Sequence, residues 1–250
     1  MVVPAEEGLL TASAPRILVA TAVPAERDAV AGVFPGQVQE TPRPGVTLHQ
    51  VPGGCYDLLA AGVGPALAAA STAAALTATA LDGRPYGLVI SAGIAGGFLP
   101  AAPVGSLVLA DEITAADLGA ETPDGFLPVT ALGFGTATHR PPPALVRRSA
   151  TAIGARTGAV LTVSTVTGTA ERAADLRERH PTALAEAMEG FGVAEAAAAH
   201  GVPVLELRAV SNPVGPRDRA AWRIGEALTA LTEGFGKLAP VLESWNPHDQ

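Results

Sequence analysis

The run Leu88-Val89-Ile90-Ser91-Ala92-Gly93-Ile94-Ala95-Gly96-Gly97 sets the architecture. Leu88 to Ser91 is β-branched and lacks polar alternation, the pattern of a strand covered on both faces. The glycines that follow predict a loop in which backbone can approach a ligand closely. No Lys-Ser/Thr pair follows them, so this is not a phosphate-cradling P-loop. A plain structural turn and a ligand loop are equally open readings of the glycines alone.

The same alternation recurs on both sides. Arg16 to Thr21 predicts a strand and Pro24 to Val33 a helix, with Pro24 tolerated near its start. Val38 to Val51 is turn-rich and fits a hairpin. Leu58 to Ala61 predicts a strand ending at Gly62, and the alanine-rich Pro65 to Ala80 a helix. Val104 to Ala110 is a further strand, ended by Asp111-Glu112, and Ala115 to Gly135 reads as irregular. Pro142 to Ala155 predicts a helix, Ala159 to Val166 a strand, and Ala170 to Arg179 a charged helix stopped near Pro181. Thr182 to Ala199 admits two readings: one helix, or a strand ending near Met188 and then a helix. Gly190 and Gly192 weaken the single helix. Val202 to Val210 reads as an apolar, buried strand, and Ala220 to Leu242 as the closing helix. Strands alternating with helices imply an α/β domain over residues 16–242, its mostly parallel sheet covered on both faces. Residues 1–15 and a tail over 243–250 are expected to be frayed.

Composition narrows the class. Of 250 residues, 48% are apolar and 4% aromatic, so the core is built from small and branched side chains. A net charge of −8 argues against a nucleic-acid binder, which needs a basic face for phosphates. The single cysteine, Cys55, excludes an intrachain disulfide and a thiolate-rich metal site, and suits a reducing cytoplasm. The histidines have no metal-ligand spacing. No secretory signal is visible, and Leu58 to Leu81 is too interrupted for a membrane span.

Four segments can carry chemistry. Gly62-Val63-Gly64-Pro65 begins like a dinucleotide fingerprint but has Leu67 where the third glycine belongs. Glu26 follows the first strand, where a glutamate also simply favours a helix N-terminus. Glu189 lies at a strand end in the second reading of its segment. Asn212, in Ser211-Asn212-Pro213-Val214-Gly215-Pro216-Arg217-Asp218-Arg219, follows the last strand, where α/β proteins place ligand contacts.

Taken in order, Glu26, Ala61-Gly62-Val63-Gly64, Ser91 to Gly97, Val104-Gly105-Ser106 with Asp111-Glu112, Met188-Glu189 and Ser211-Asn212 resemble the purine nucleosidase and phosphorylase superfamily. The nearest groups are the methylthioadenosine/S-adenosylhomocysteine nucleosidases and, closer still, the futalosine hydrolases. The resemblance implies a nucleoside phosphorylase-like three-layer α/β/α sandwich around a mixed sheet. It implies cleavage of an N-glycosidic bond in a small nucleoside, without metal or organic cofactor. It also implies a homodimer or higher homo-oligomer; the composition and the absence of a signal or span make the expected protein cytoplasmic, binding neither nucleic acid nor membrane. Glu26 matches the carboxylate that activates water, and Met188 and Glu189 match the ribose-binding segment. Gly93 and Ile94 belong to the glycine segment that lines the site.

Two positions refine the resemblance. Ser91 stands where bacterial purine phosphorylases carry a phosphate-binding arginine, which favours water as nucleophile. Asn212 stands where adenine-specific nucleosidases carry an aspartate. Its amide NH₂ has two donors, suited to purine N7 and a 6-oxo oxygen. That favours hypoxanthine over adenine, as in the hydrolysis of futalosine to hypoxanthine and dehypoxanthinyl futalosine in menaquinone biosynthesis. Futalosine ends in a benzoate, for which Arg217 and Arg219 are candidate partners and Phe126 a candidate wall. Ala187 and Ile94 depart from the adenine-specific pattern, which has a glutamate and a serine there.

Overall fold

A computed structural model describes residues 15–246. The chain runs β1 (Ile17–Thr21), α1 (Pro24–Ala31), β2 (Gln39–Arg43), β3 (Val46–Gln50), β4 (Tyr56–Ala60), α2 (Pro65–Leu81), β5 (Leu88–Gly97) and β6 (Leu107–Ala115). Then come β7 (Gly119–Thr122), β8 (Gly125–Pro128), β9 (Thr138–His139), α3 (Pro143–Ile153), β10 (Arg156–Thr162), α4 (Ala170–Arg179), β11 (Ala183–Ala187), α5 (Gly190–Ala199), β12 (Val204–Pro213) and α6 (Ile224–Glu243).

The sheet is mixed, in the order β11-β10-β6-β12-β5-β1-β4-β3-β2. Its centre, β4-β1-β5-β12, is parallel. Fully apolar strands serve two layers because successive side chains alternate between faces. Leu18 and Ala20 pack with α2 and α5, whereas Ile17 and Val19 pack with α1, α3 and α6. The fold is the expected α/β sandwich with a mixed central sheet. One end also curls on itself, because β11 pairs antiparallel with the end of β5 through Ala185–Gly97 and Glu186–Gly96.

Several boundaries differ from expectation. The glycine run is not a loop: β5 continues to Gly97 because β12 and β11 pair with it on either side. Glycine is required there by close approach, since a Cβ on Gly97 would lie 2.0 Å from the Ala102 carbonyl oxygen. Strand β6 likewise continues through Asp111-Glu112 to Ala115, and β12 carries Asn212 within it. The Ala115 to Gly135 segment contains the β7–β8 hairpin. The split reading of Thr182 to Ala199 is the one observed. Cβ atoms on Gly190 and Gly192 would strike Glu206 and the Pro65 carbonyl. Trp245, assigned to the tail, is buried. The rest of the expected frayed ends, residues 1–14 and 247–250, lies outside the described residues. Among the described residues no helix is long and apolar enough to cross a membrane.

Candidate active site

The C-terminal ends of β1, β11 and β12 and the glycine stretch of β5 surround a cavity of about 380 Å³. Glu26, Ile94, Met188, Glu189, Asn212 and Arg217 all line it. A larger depression of about 690 Å³ lies near His139, Arg147 and the start of β12. It has no converging carboxylates, so size does not identify the functional site.

Glu26 is the third residue of α1 and reaches back over the helix start. Its Oε2 accepts from the amides of Ala22 (2.9 Å) and Val23 (3.3 Å). Its Oε1 accepts from the amide of Ile94 at 2.8 Å. Three amides occupy three of the about four lone-pair directions of a carboxylate. One direction is left for a water or ligand in the cavity. A Cβ on Gly93 would stand 2.6 Å from Glu26 Oε1, so a side chain there would displace the carboxylate.

Glu189 is fixed at the N-terminus of α5. Its Oε1 accepts from the Gly64 amide at 3.2 Å, and its Oε2 from the Met188 amide at 3.3 Å. Arg208 lies beneath both carboxylates and is 1% exposed. It contacts Glu189 Oε2 at 3.4 Å, Glu206 Oε1 at 2.8 Å and Ser91 Oγ at 3.2 Å. Burial pushes the Glu206 carboxyl above its ordinary value, opposed by the guanidinium of Arg208.

Strand β12 bulges between Val210 and Asn212, which turns Asn212 into the cavity. Its Nδ2 donates to the Pro213 carbonyl at 3.0 Å, while its Oδ1 accepts from Ser211 Oγ at 2.8 Å. An oxygen could not donate to that carbonyl, so the orientation of the amide is fixed. One N–H of the NH₂ group remains for a ligand.

The other expected residues separate. Arg217 lines the cavity, its amide tied to the Gly168 carbonyl and its guanidinium over the Trp222 ring at 5.4 Å. Arg219 is exposed in the short 3-10 turn Arg219–Ala221, outside the cavity lining. Phe126 sits on β8 under Arg179, 4.5 Å from the guanidinium carbon, and borders a different depression. It is therefore not a wall of this cavity. Gly93 is buried behind Glu26 and is not part of the cavity lining.

Four features of the site were missed in the sequence. Glu206 and Arg208 stand two apart within an otherwise apolar strand, and that spacing alone puts them on one face. Glu186 and Thr167 line the cavity together. Thr167 donates from its amide at 2.8 Å and from its hydroxyl to the two oxygens of Glu186. Burial pushes the Glu186 carboxyl up, opposed by these hydrogen bonds.

The model of the phosphorylase superfamily matches residues 16–240. The chain is 79% identical over 234 residues to the futalosine hydrolase of Streptomyces coelicolor, covering 94% of this chain and 99% of that protein. It is 47% identical over 226 residues to the futalosine hydrolase of Acidothermus cellulolyticus, covering 88% and 89%. Its fold matches a methylthioadenosine/S-adenosylhomocysteine nucleosidase from Colwellia psychrerythraea, solved with adenine. The TM-score is 0.79 at 22% identity, covering 94% of this chain and 98% of that one. The chain belongs to the phosphorylase superfamily and, within it, to the futalosine hydrolases.

Proposed function

We propose that this chain hydrolyses the N-glycosidic bond of futalosine, releasing hypoxanthine and dehypoxanthinyl futalosine, a step of menaquinone biosynthesis. One observation carries the reading: Glu26, Glu189 and Asn212 converge on one cavity in a chain 79% identical to a futalosine hydrolase. As the glycosidic bond stretches, C1′ gains oxocarbenium character. Glu189 accepts from the ribose hydroxyls, and Met188 packs beside the sugar. Asn212 donates to the purine as negative charge builds on it. A donor aimed at developing charge contributes roughly 3–4 kcal/mol. Glu26 takes a proton from the attacking water through its remaining lone-pair direction.

Charge favours water over phosphate. Arg208 is the buried cation beside the site, and Glu206 and Glu189 already engage it. Glu26 and Glu186 add further carboxyl groups at the cavity. An incoming dianion near the sugar meets the carboxyl groups of Glu26 and Glu189, while the guanidinium of Arg217 lies over the Trp222 ring.

Arg217, over the Trp222 ring, is the candidate partner for the far benzoate; Trp222 supplies an aromatic surface at the same rim. The unit that acts is the single domain that begins at residue 16 and is closed by α6 and the buried Trp245, in the cytoplasm, as a homodimer or higher homo-oligomer. Exposed Val63, which lines the cavity, and exposed Leu67, four residues on, support an apolar contact with a second copy at this rim.

Base release from futalosine, inosine and methylthioadenosine, each with and without phosphate, tests the reading. Phosphate-independent release of hypoxanthine from futalosine is expected. Release from methylthioadenosine but not futalosine overturns the substrate, and a strict phosphate requirement overturns hydrolysis.

A further inference from the structure

We propose that Glu186 reads the base from across Gly96, beside Asn212, accepting the N1–H that a 6-oxopurine carries and a 6-aminopurine lacks. The inference rests on the proposed cleavage of a 6-oxopurine nucleoside and assigns a second determinant of its specificity.

The sheet curl places the residue. Gly96 pairs with Asn212 of β12 on one side and with Glu186 of β11 on the other. Paired positions share a face of the sheet, so both side chains rise over the same side of Gly96. Their Cα atoms are separated by two strand spacings, about 10 Å. That span fits a purine edge with a hydrogen bond at each end. Gly96 keeps the slot open: a Cβ there would approach Asn212 Nδ2 to 3.3 Å and Val214 Cγ2 to 3.0 Å.

The chemistry at the two ends is complementary. Asn212 offers a donor, held in orientation by Ser211 and Pro213. Each oxygen of Glu186 already accepts from Thr167, and each keeps a second acceptor direction. Glu186 is 5% exposed, yet borders the cavity. A 6-oxopurine presents the acceptor O6 beside the donor N1–H. A 6-aminopurine presents a donor beside the bare acceptor N1. A carboxylate cannot donate, so it meets the lone pair of that N1 with another lone pair. Glu186 also occupies the Thr167 N–H and O–H, which would otherwise be donors available to such an N1. Asn212 and Glu186 therefore read adjacent atoms of one edge.

The test compares futalosine with its 6-amino analogue, on wild type and on Glu186→Gln. Wild type is expected to favour futalosine in kcat/KM. Glu186→Gln is expected to lose at least tenfold on futalosine while holding or gaining on the 6-amino analogue, because its amide can donate to N1. A merely structural role lowers both substrates by one factor, and that result overturns the inference. If wild type favours the 6-amino analogue, the proposed function fails and this inference with it. If wild type favours futalosine and the variant keeps the full preference, only Glu186 is wrong. A binding measurement on wild type covers a variant that does not fold. Hypoxanthine should bind at least tenfold more tightly than both 1-methylhypoxanthine and adenine, and equal affinities remove the N1–H contact.

Discussion

The two ends of the cavity are held by different parts of the chain. At the ribose end, backbone dominates: Glu26 takes three amides and Glu189 takes two, with Arg208 beneath. At the base end, hydroxyl side chains share the work with backbone: the Thr167 amide and the Pro213 carbonyl hold one bond each, and hydroxyls hold the other two. Asn212 leans on the Ser211 hydroxyl, and Glu186 on Thr167. Backbone amides are fixed by the fold, whereas a hydroxyl can be exchanged by one substitution. On the proposed function, the reaction is anchored mainly by backbone, and the choice of base depends in part on replaceable hydroxyl groups. The ends should therefore respond differently to mutation: loss of rate at one, change of preference at the other.

Glu26→Gln should separate rate from binding most widely. It keeps the shape but removes the proton acceptor. Turnover is expected to fall by about 10²–10⁴-fold, with hypoxanthine affinity unchanged within a few-fold by calorimetry. Near-normal turnover would remove Glu26 from the mechanism. Arg208→Met attacks the support under the same end. It leaves Glu206 and Glu189 buried without their cation. Breaking a buried pair from one side costs about 3–5 kcal/mol, and urea unfolding should show that loss. An unchanged unfolding midpoint would mean that these carboxylates do not need the guanidinium. The base end comes next. Asn212→Asp removes the oriented donor, a loss of about 1–3 kcal/mol, and kcat/KM on futalosine should fall roughly fivefold to 150-fold. An unchanged value would refute the pairing.

The same division explains what was legible in the sequence. The layers were legible because Ile17 to Ala20 and Leu88 to Ile90 are apolar on both faces. That Glu26, Glu189 and Asn212 would line one cavity was legible because ligand clefts of α/β sheets open at strand ends. The glycines after Ser91 were misread because local chemistry permits a loop, while pairing with β11 and β12 makes a strand. Glu186 was hidden for a related reason. Its segment fits a helix and a strand equally, and only the strand brings it opposite Asn212 across Gly96. Phe126 failed as a wall because its place depends on how a short hairpin lies against α4, where Arg179 covers its ring. Periodicity does not encode that packing. Glu206 and Arg208 did leave a signal: two charges on one face of an otherwise apolar strand.

The smallest effect concerns the stability of Glu186, and it separates the ends in a further way. Burial holds this carboxyl above its ordinary value of 4.5, with Thr167 opposing the shift. The folded protein therefore binds that proton more tightly than the unfolded chain does. The resulting contribution to stability is full below the unfolded value and is lost as pH rises through the folded one. Glutamine has no such proton. The stability of Glu186→Gln relative to wild type should thus improve as pH rises through this window, whatever offset the lost Thr167 contact imposes. Thermal unfolding of both proteins across acid to neutral pH measures the slope. A difference that stays flat, or moves toward wild type, would mean that the carboxylate meets no net penalty in its slot. The contrast between the two ends would then lie in geometry alone.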